Sequence, residues 1–456
     1  MNPTLLAKYD QRVPRYTSYP TAPHFHPGID AGCYESWLAA LSPDEPASLY
    51  LHVPFCAELC HYCGCHTTAV HRYEPVAHYA GLIEREIDLV ADAIGADSAR
   101  RRQPVSHIHW GGGTPTMLRP DELRRISAKL GARFAIRPDA EIAVEIDPRT
   151  LTLAGVGALA ASGVTRASLG VQDFHPAVQR AINRVQSYDE TARAARWLRR
   201  AGIRAINLDL MYGLPHQTAD SVVATVEQAL TLQPDRIALF GYAHVPWMKR
   251  HQRLLPEDAL PDAAARFAQR EAAAARIAAA GFVPVGLDHF ARRDDPMARS
   301  LAAGTLRRNF QGYTTDGAPA LIGFGASSIG GLPQGYVQNE PSIPGYGAAI
   351  RSGRLATVRG VAIDEDDRLR REIIERLMCD FTVDLDAVCA RHGSRDAASR
   401  FAAERAAIDR LAADGIVERD GARIAVTALG RPLVRAVCAA FDRYLAAGAD
   451  KHSRAI

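Results

Sequence analysis

The chain has 456 residues, room for about three average domains or for one α/β barrel with appendages. Its 47% hydrophobic and 23% charged residues allow large buried cores and exclude disordered, collagen-like and coiled-coil classes. Net charge is +3 from 54 basic and 51 acidic residues with no polybasic tract, and no apolar run has the length of a membrane span, so neither nucleic acid nor a bilayer is expected as a partner.

The start, MNPTLLAKYDQRVPRYTSYP, lacks the apolar stretch of a secretory signal, which points to the cytoplasm. Residues 1–46 are polar, aromatic and broken by prolines; they are expected to form an arm of short helical pieces packed on a body. From 47 to 300, β-rich apolar runs alternate with helical stretches. The runs are SLYLHVPF (48–55), HIHWGG (107–112), EIAVEID (141–147), RASLGVQ (166–172), AINLDLMYG (205–213) and RIALFGYA (236–243), with FVPVGLDHF (282–290) further on. Strands alternating with helices predict right-handed βαβ units and a parallel sheet. Six such units fit a TIM-like (β/α)6 barrel, full or incomplete.

Residues 301–360 are rich in Gly, Tyr, Asn and Pro and are predicted as an ordered, loop-rich extension over the site. Residues 361–456 are expected to form a separate, mainly helical domain, with a hairpin in GIVERDGARIAVT (415–427) that gives it a winged-helix shape. A winged helix raises DNA binding. This segment holds 16 basic and 17 acidic residues, however, and lacks a basic footprint, so packing or substrate closure is the better expectation.

Eight cysteines carry the sharpest signal, because Cys56, Cys60, Cys63 and Cys65 fall within PFCAELCHYCGC (54–65). In a reducing compartment such a cluster reads as metal-binding or catalytic. Cys33, Cys379, Cys389 and Cys438 are scattered singly and read as small buried apolar residues. The cluster follows the first strand, on a loop at the C-terminal mouth of the barrel, where barrel active sites lie. Three thiolates on one loop can hold three irons of a cubane cluster and leave the fourth iron open for chemistry. A structural zinc wants four ligands converging from separate knuckles, which this loop does not offer. The three-cysteine core does not need Cys65.

Other strand ends carry polar groups. Gly111-Gly112-Gly113-Thr114-Pro115 ends the second strand and reads either as a tight turn or as a loop that lets a ligand approach the backbone. Glu145 ends the third strand, where a carboxylate can accept ribose hydroxyls or an ammonium, and Gln172 ends the fourth. Asp209 lies within the fifth; a buried carboxylate there needs a partner, and Arg184 is the expected one. Tyr50 and Ile329 read as core positions.

The cysteine loop resembles the CxxxCxΦC signature of radical S-adenosylmethionine enzymes, with Tyr62 in the aromatic place. The added Cys65, PRYTSYPTA (14–22), HWGGGTPT (109–116), EIDP (145–148), SLGVQDF (168–174), NRVQ (183–186), NLDLMYGLP (207–215), NFQGYTT (309–315) and GYVQNE (335–340) together resemble the oxygen-independent coproporphyrinogen III oxidases. The resemblance runs in order over nearly the whole chain.

What the resemblance implies is specific. Cys56, Cys60 and Cys63 would ligate one [4Fe-4S] cluster, and S-adenosylmethionine, two molecules per substrate, would meet Tyr50, Tyr62, Gly112, Gly113, Thr114, Glu145, Gln172, Arg184, Asp209, Ala243 and Ile329. Cys65 and Tyr50 would be the catalytic residues. The reaction would turn two propionates of coproporphyrinogen III into vinyls through 5′-deoxyadenosyl radicals, giving protoporphyrinogen IX for haem biosynthesis. A low-potential donor such as flavodoxin or ferredoxin would supply electrons to a monomer. Tyr9, Tyr16 and Tyr19 of the arm would cover the macrocycle while Arg12 and Arg15 meet propionates, or the arm would simply cap the barrel. The competing reading is a related haem chaperone; such chaperones resemble a shortened form lacking the long arm and the fourth cysteine, and this chain has both.

Overall fold

A computed structural model describes residues 5, 8–9, 11–95, 102–394 and 397–445. Twelve strands form one sheet: β1 (Ala47–Val53), β2 (Pro104–Gly112), β3 (Ala135–Ile146), β4 (Arg166–Gln172), β5 (Ala205–Tyr212), β6 (Arg236–Gly241), β7 (Val283–Val285), β8 (His289–Ala291), β9 (Ala320–Phe324), β10 (Ile329–Leu332), β11 (Gly335–Asn339) and β12 (Thr357–Ala362). Their order is β12-β11-β10-β9-β1-β2-β3-β4-β5-β6-β8-β7. Pairs from β9 through β1 to β6 are parallel, and both flanks are antiparallel. No ladder joins β12 to β7 among the described residues, so the barrel is open.

The period-2 alternation of each parallel strand builds two faces. Leu49, Leu51 and Val53 of β1, Ile108 and Trp110 of β2, Leu169 and Val171 of β4 and Leu208 and Leu210 of β5 join the large core beneath the helices. Helix Glu74–Gly95 supplies Val76, Tyr79, Ile83, Ile87, Val90 and Ile94 at three- and four-residue spacing, the stripe that burial on a sheet demands. The residues between them in the strands, Tyr50, His52, His109, Glu145, Ser168, Asn207 and Asp209, are mostly polar and face the lumen. Deeper in the lumen, Arg166 and Arg236 pair with Glu141 and Asp295 at 2.8–3.9 Å.

Segment 301–360 differs from its expected form. It is not chiefly loop: β9 to β12 extend the sheet, and β9 inserts beside β1 as a seventh parallel strand. Glycine hides this in the sequence, since Gly is depleted in strands. Here Gly323 is needed for close approach; a Cβ there would lie 2.9 Å from the Ile329 carbonyl oxygen on β10.

The C-terminal region has helices Glu365–Asp380, Leu385–Arg391 and Ala402–Ala413 with a three-stranded sheet of Thr382–Asp384, Arg423–Val426 and Val417–Asp420, a winged-helix arrangement. The arm is sewn to it. Tyr9, Tyr16 and Tyr19 are buried in the C-terminal core. Tyr16 donates to Asp442 at 3.1 Å, and Arg435 donates to the Pro14 carbonyl at 2.9 Å. No helix among the described residues is long and apolar enough to cross a membrane.

Candidate active site

The expected site residues converge at the C-terminal ends of the parallel strands. Tyr50 stands in β1 beside His109 of β2, with ring centroids 5.9 Å apart. Its hydroxyl donates to His52 Nδ1 at 3.0 Å, and His52 Nε2–H donates to the His66 carbonyl at 2.9 Å. Burial lowers the His52 imidazole to about 4, so it is neutral and this chain of bonds fixes its tautomer.

The cysteine loop leaves β1 and is held at several points. Phe55 and Cys56 pair with Thr68 and Ala69. The side chain of Gln252, fully buried, donates to the carbonyls of Tyr62 at 3.0 Å and Ala243 at 3.2 Å. His251 donates to the Cys63 carbonyl at 2.7 Å, Lys249 to the Cys65 carbonyl at 2.8 Å and Asn183 to the Leu59 carbonyl at 3.0 Å.

All eight cysteines are free thiols. Thr67 and Thr114 hydroxyls lie 3.1 and 3.5 Å from Cys56 Sγ, while Arg149 and Arg184 donate to Cys60 Sγ at 3.9 and 3.7 Å. Donors turned toward sulfur suit thiolates bound to iron and tune such clusters. No three His, Cys, Asp or Glu side chains among the described residues converge tightly enough for one metal ion, as a mononuclear zinc site would need. Three thiols on one short loop suit a polynuclear cluster, in which each would serve a separate iron. Cys65 is exposed at the same mouth.

The glycine loop after β2 is built for close approach. Gly112 has φ +106°, and a Cβ there would meet the His52 ring at 2.6 Å; one at Gly113 would meet the Phe55 carbonyl at 2.6 Å. Thr114 is buried beside Cys56. Glu145 accepts from His109 Nε2 at 3.1 Å and the Gly112 N–H at 3.2 Å. Burial alone would raise its carboxyl, but these partners outweigh burial and hold it below its ordinary value. Gln172 sits at φ +69° where β4 ends, its amide folded back over Gly170 beside Arg184. Ile329 opens β10 opposite Gly323, which is the register partner of Tyr50.

Arg184 does not pair with Asp209, contrary to the sequence expectation. It donates to Asp147 at 3.2 and 3.3 Å and to the Gly170 carbonyl at 2.7 Å. Asp209 accepts instead from Ser168 and Asn207, both at 2.8 Å, and burial raises its carboxyl to about 6. The reason is geometric: Arg184 follows β4 and reaches the end of β3, whereas the Asp209 carboxylate, level with Gly170, is turned toward Ser168 and Asn207.

Residues 50–229 match the Radical SAM superfamily, and residues 363–433 match the HemN C-terminal domain. An oxygen-independent coproporphyrinogen III oxidase of Bradyrhizobium diazoefficiens is 55% identical over 447 residues, covering 98% of each chain. That of Paracoccus denitrificans is 44% identical over 452 residues, 99% of this chain and 98% of its own. The chain belongs to the oxygen-independent coproporphyrinogen III oxidase family. The solved Escherichia coli coproporphyrinogen III oxidase (HemN) superposes with a TM-score of 0.89 at 36% identity, over 95% of this chain and 100% of that one. Membership in this radical S-adenosylmethionine family carries a [4Fe-4S] cluster and S-adenosylmethionine as cofactors.

Within this oxidase fold, sequence reasoning missed Asp147 and Arg149. Arg149 pairs with Asp147 at 2.7 Å and with Glu58 at 3.4 Å, so the Asp147 carboxylate, its side chain only 10% exposed, is shared by both arginines that face Cys60. The signal was present in EIDPRT (145–150): an Asp two residues past Glu145, followed by Pro and Arg. The residues 249–252 that clamp the cysteine loop gave no signal, because their partners are backbone carbonyls some 180 residues away.

The arm packs on the C-terminal domain. Tyr9, Tyr16 and Tyr19 are packed into the C-terminal domain, because aromatic area is stabilising where it is buried. Arg12 and Arg15 do face a cavity beside the barrel mouth.

Proposed function

We propose that this chain decarboxylates two propionates of coproporphyrinogen III to vinyls without oxygen, giving protoporphyrinogen IX. The observation that carries the proposal is the full-length match to oxidases of that name, arm and cysteine loop included, combined with a polar mouth that gathers thiols, glycine backbone and carboxylates. When bound, the cluster and S-adenosylmethionine supply the hydrogen-abstracting radical chemistry.

The residues of the chain hold and orient these groups. Cys56, Cys60 and Cys63 take three irons, and Asp147, Arg149 and Arg184 set the charge around Cys60. Glu145, kept ionised by His109 and the Gly112 N–H, suits the methionine ammonium, and Arg184, its fork held by Asp147 and the Gly170 carbonyl, keeps the buried Nε–H as a donor toward the cofactor. The small cross-section of Gly112 and Gly113 lets the aminoacyl end lie against backbone. Gln172, Asp209, Tyr62, Ala243 and Ile329 line the remaining cofactor surface, and Asp209 has lone pairs left for hydroxyl donors. Tyr50 and Cys65, at the cluster's edge, are the candidates for contact with reacting groups. Two molecules of S-adenosylmethionine per substrate match the requirement of two propionates, and a flavodoxin- or ferredoxin-type donor matches the need for low-potential electrons.

The test is anaerobic turnover with reconstituted cluster, S-adenosylmethionine, a one-electron reductant and coproporphyrinogen III. The expected product has lost two carbon dioxides by mass, with two S-adenosylmethionines consumed. Stable haem binding without S-adenosylmethionine consumption would overturn the proposal in favour of a chaperone.

A further inference from the structure

A cavity of about 400 Å³ lies between the arm, the mouth of the barrel and the C-terminal domain. Six arginines line it: Arg12, Arg15, Arg266, Arg270, Arg308 and Arg435. The lining holds one carboxylate, Asp288, whose charge acts on Arg15 and Arg308, and Arg270 also pairs with Glu271 outside the lining. The hydrogen bonds that position these arginines go largely to backbone carbonyls: Arg15 to Gly241 at 3.3 Å, Arg266 to Tyr242 at 2.8 Å, Arg308 to Arg15 at 3.3 Å and Arg435 to Pro14 at 2.9 Å. Carbonyls fix a guanidinium without neutralising it. Nε of Arg266, and Nε and Nη1 of Arg308, are buried with no hydrogen-bond partner among the described residues. Burial, then repulsion from Arg15 and Arg308, lowers the pKa of Arg435, and burial lowers that of Arg15.

The lining thus carries more positive than negative charge, with Arg435 buried, Arg266, Arg270 and Arg308 half-buried and Arg12 and Arg15 at its exposed edge. Guanidinium forks match carboxylates two bonds at a time. The same cavity has apolar walls in Phe267, Leu287 and the Trp247 ring, over which Arg12 lies at 4.9 Å. Ala243, on the cofactor side of the mouth, forms part of the wall. The space therefore combines several cations, an apolar face and contact with the cofactor position.

We propose that this cavity seats propionate carboxylates of the porphyrinogen, those that leave the reaction unchanged, through arginines drawn from the arm, the barrel and the C-terminal domain together. The proposal rests on the function proposed above and extends it: the substrate is recognised as a polycarboxylate on an apolar macrocycle. It also gives the C-terminal domain a part in the site through Arg435, and the arm a part through Arg12 and Arg15, while the tyrosines of the arm serve packing.

The test uses the holoenzyme with Arg12→Gln, Arg266→Gln, their double variant and Arg266→Lys. Two readouts are taken: KM for coproporphyrinogen III and for S-adenosylmethionine during turnover, and the Kd of coproporphyrin III from its fluorescence, with its tetramethyl ester as the uncharged probe. Loss of one charge-assisted bond corresponds to about a tenfold weakening or more. Each Gln variant should raise both the porphyrinogen KM and the coproporphyrin Kd by that factor, with iron content and the S-adenosylmethionine KM unchanged. Arg266→Lys should fall between, and the ester should not bind at concentrations that saturate with the acid. Turnover with unchanged porphyrinogen KM and Kd in the double variant, or an ester that binds as well as the acid, overturns the cavity assignment and leaves the proposed reaction standing. A wild-type enzyme that binds coproporphyrin III in an arginine- and carboxylate-dependent way yet never decarboxylates the porphyrinogen supports the cavity as a polycarboxylate site and overturns the reaction.

Discussion

Replacing Asp209 by Asn separates the cofactor role of this residue from any structural one. Its carboxylate lies on the lumen face of β5 with donors from Ser168 and Asn207 at 2.8 Å and no ion-paired cation among the described residues. Burial, only partly offset by the Ser168 bond and aided by repulsion from Glu145, raises its pKa from 3.8 to about 6. A carboxyl whose folded value exceeds its unfolded value opposes folding once ionised. That penalty is complete above about 6 and vanishes below 3.8. Roughly two units at about 1.4 kcal/mol each make it at most about 3 kcal/mol near neutral pH. Asn has the same shape, keeps an acceptor for Asn207 and carries no charge. Asp209→Asn should therefore be more stable than wild type by up to about 3 kcal/mol near pH 7 without S-adenosylmethionine, and the gap should close as pH falls toward 4. Affinity for S-adenosylmethionine should fall, since a neutral amide is a poorer acceptor for hydroxyls. Urea unfolding under nitrogen at several pH values, paired with equilibrium cofactor binding, reads both effects. An Asn variant less stable than wild type at neutral pH would refute the reasoning and restore an ion pair at Asp209.

Three further outcomes follow from the same geometry. Asp147→Asn should cost about 3–5 kcal/mol, because it leaves buried Arg184 without its carboxylate beside Cys60, while Arg149 keeps only Glu58 at 3.4 Å; its pKa is held below the ordinary value by these arginines against burial, so the stability it gives is present above about pH 4 and is lost as pH falls further, which urea midpoints against pH will show. Ser in place of Cys56, Cys60 or Cys63 should abolish the iron–sulfur absorption, whereas Cys65→Ser should keep the iron and lose turnover; iron analysis with a turnover assay distinguishes them, and equal iron loss at Cys65 would make it a ligand. A chain starting near residue 46 should expose the C-terminal core that Tyr9, Tyr16 and Tyr19 cover, and should become protease-sensitive between 363 and 445; resistance equal to the full chain would show that the arm is not structural.

Much of this protein is determined by local pattern. The period-2 alternation of SLYLHV, RASLGVQ and AINLDLMY, separated by helical stretches, is sufficient for a parallel α/β sheet, because each strand must bury one face under helices. The cysteine spacing is equally local: three thiols on one loop stay near each other whatever the rest does. Glu145, Gln172 and Asp209 were legible because polar residues break apolar runs at strand ends, where a lumen or mouth awaits them. Partnership was not legible. Asp147 rather than Asp209 receives Arg184, since register and strand-end geometry across β3 and β4 decide which carboxylate a long side chain reaches. The strands of 301–360 were hidden because their glycines serve close backbone approach to β1 and β10, a need that exists only once those strands are in place. Of the arginine cavity only Arg12 and Arg15 were legible: its six side chains span positions 12 to 435, and what makes them one site is the docking of the arm and the C-terminal domain onto the mouth of the barrel.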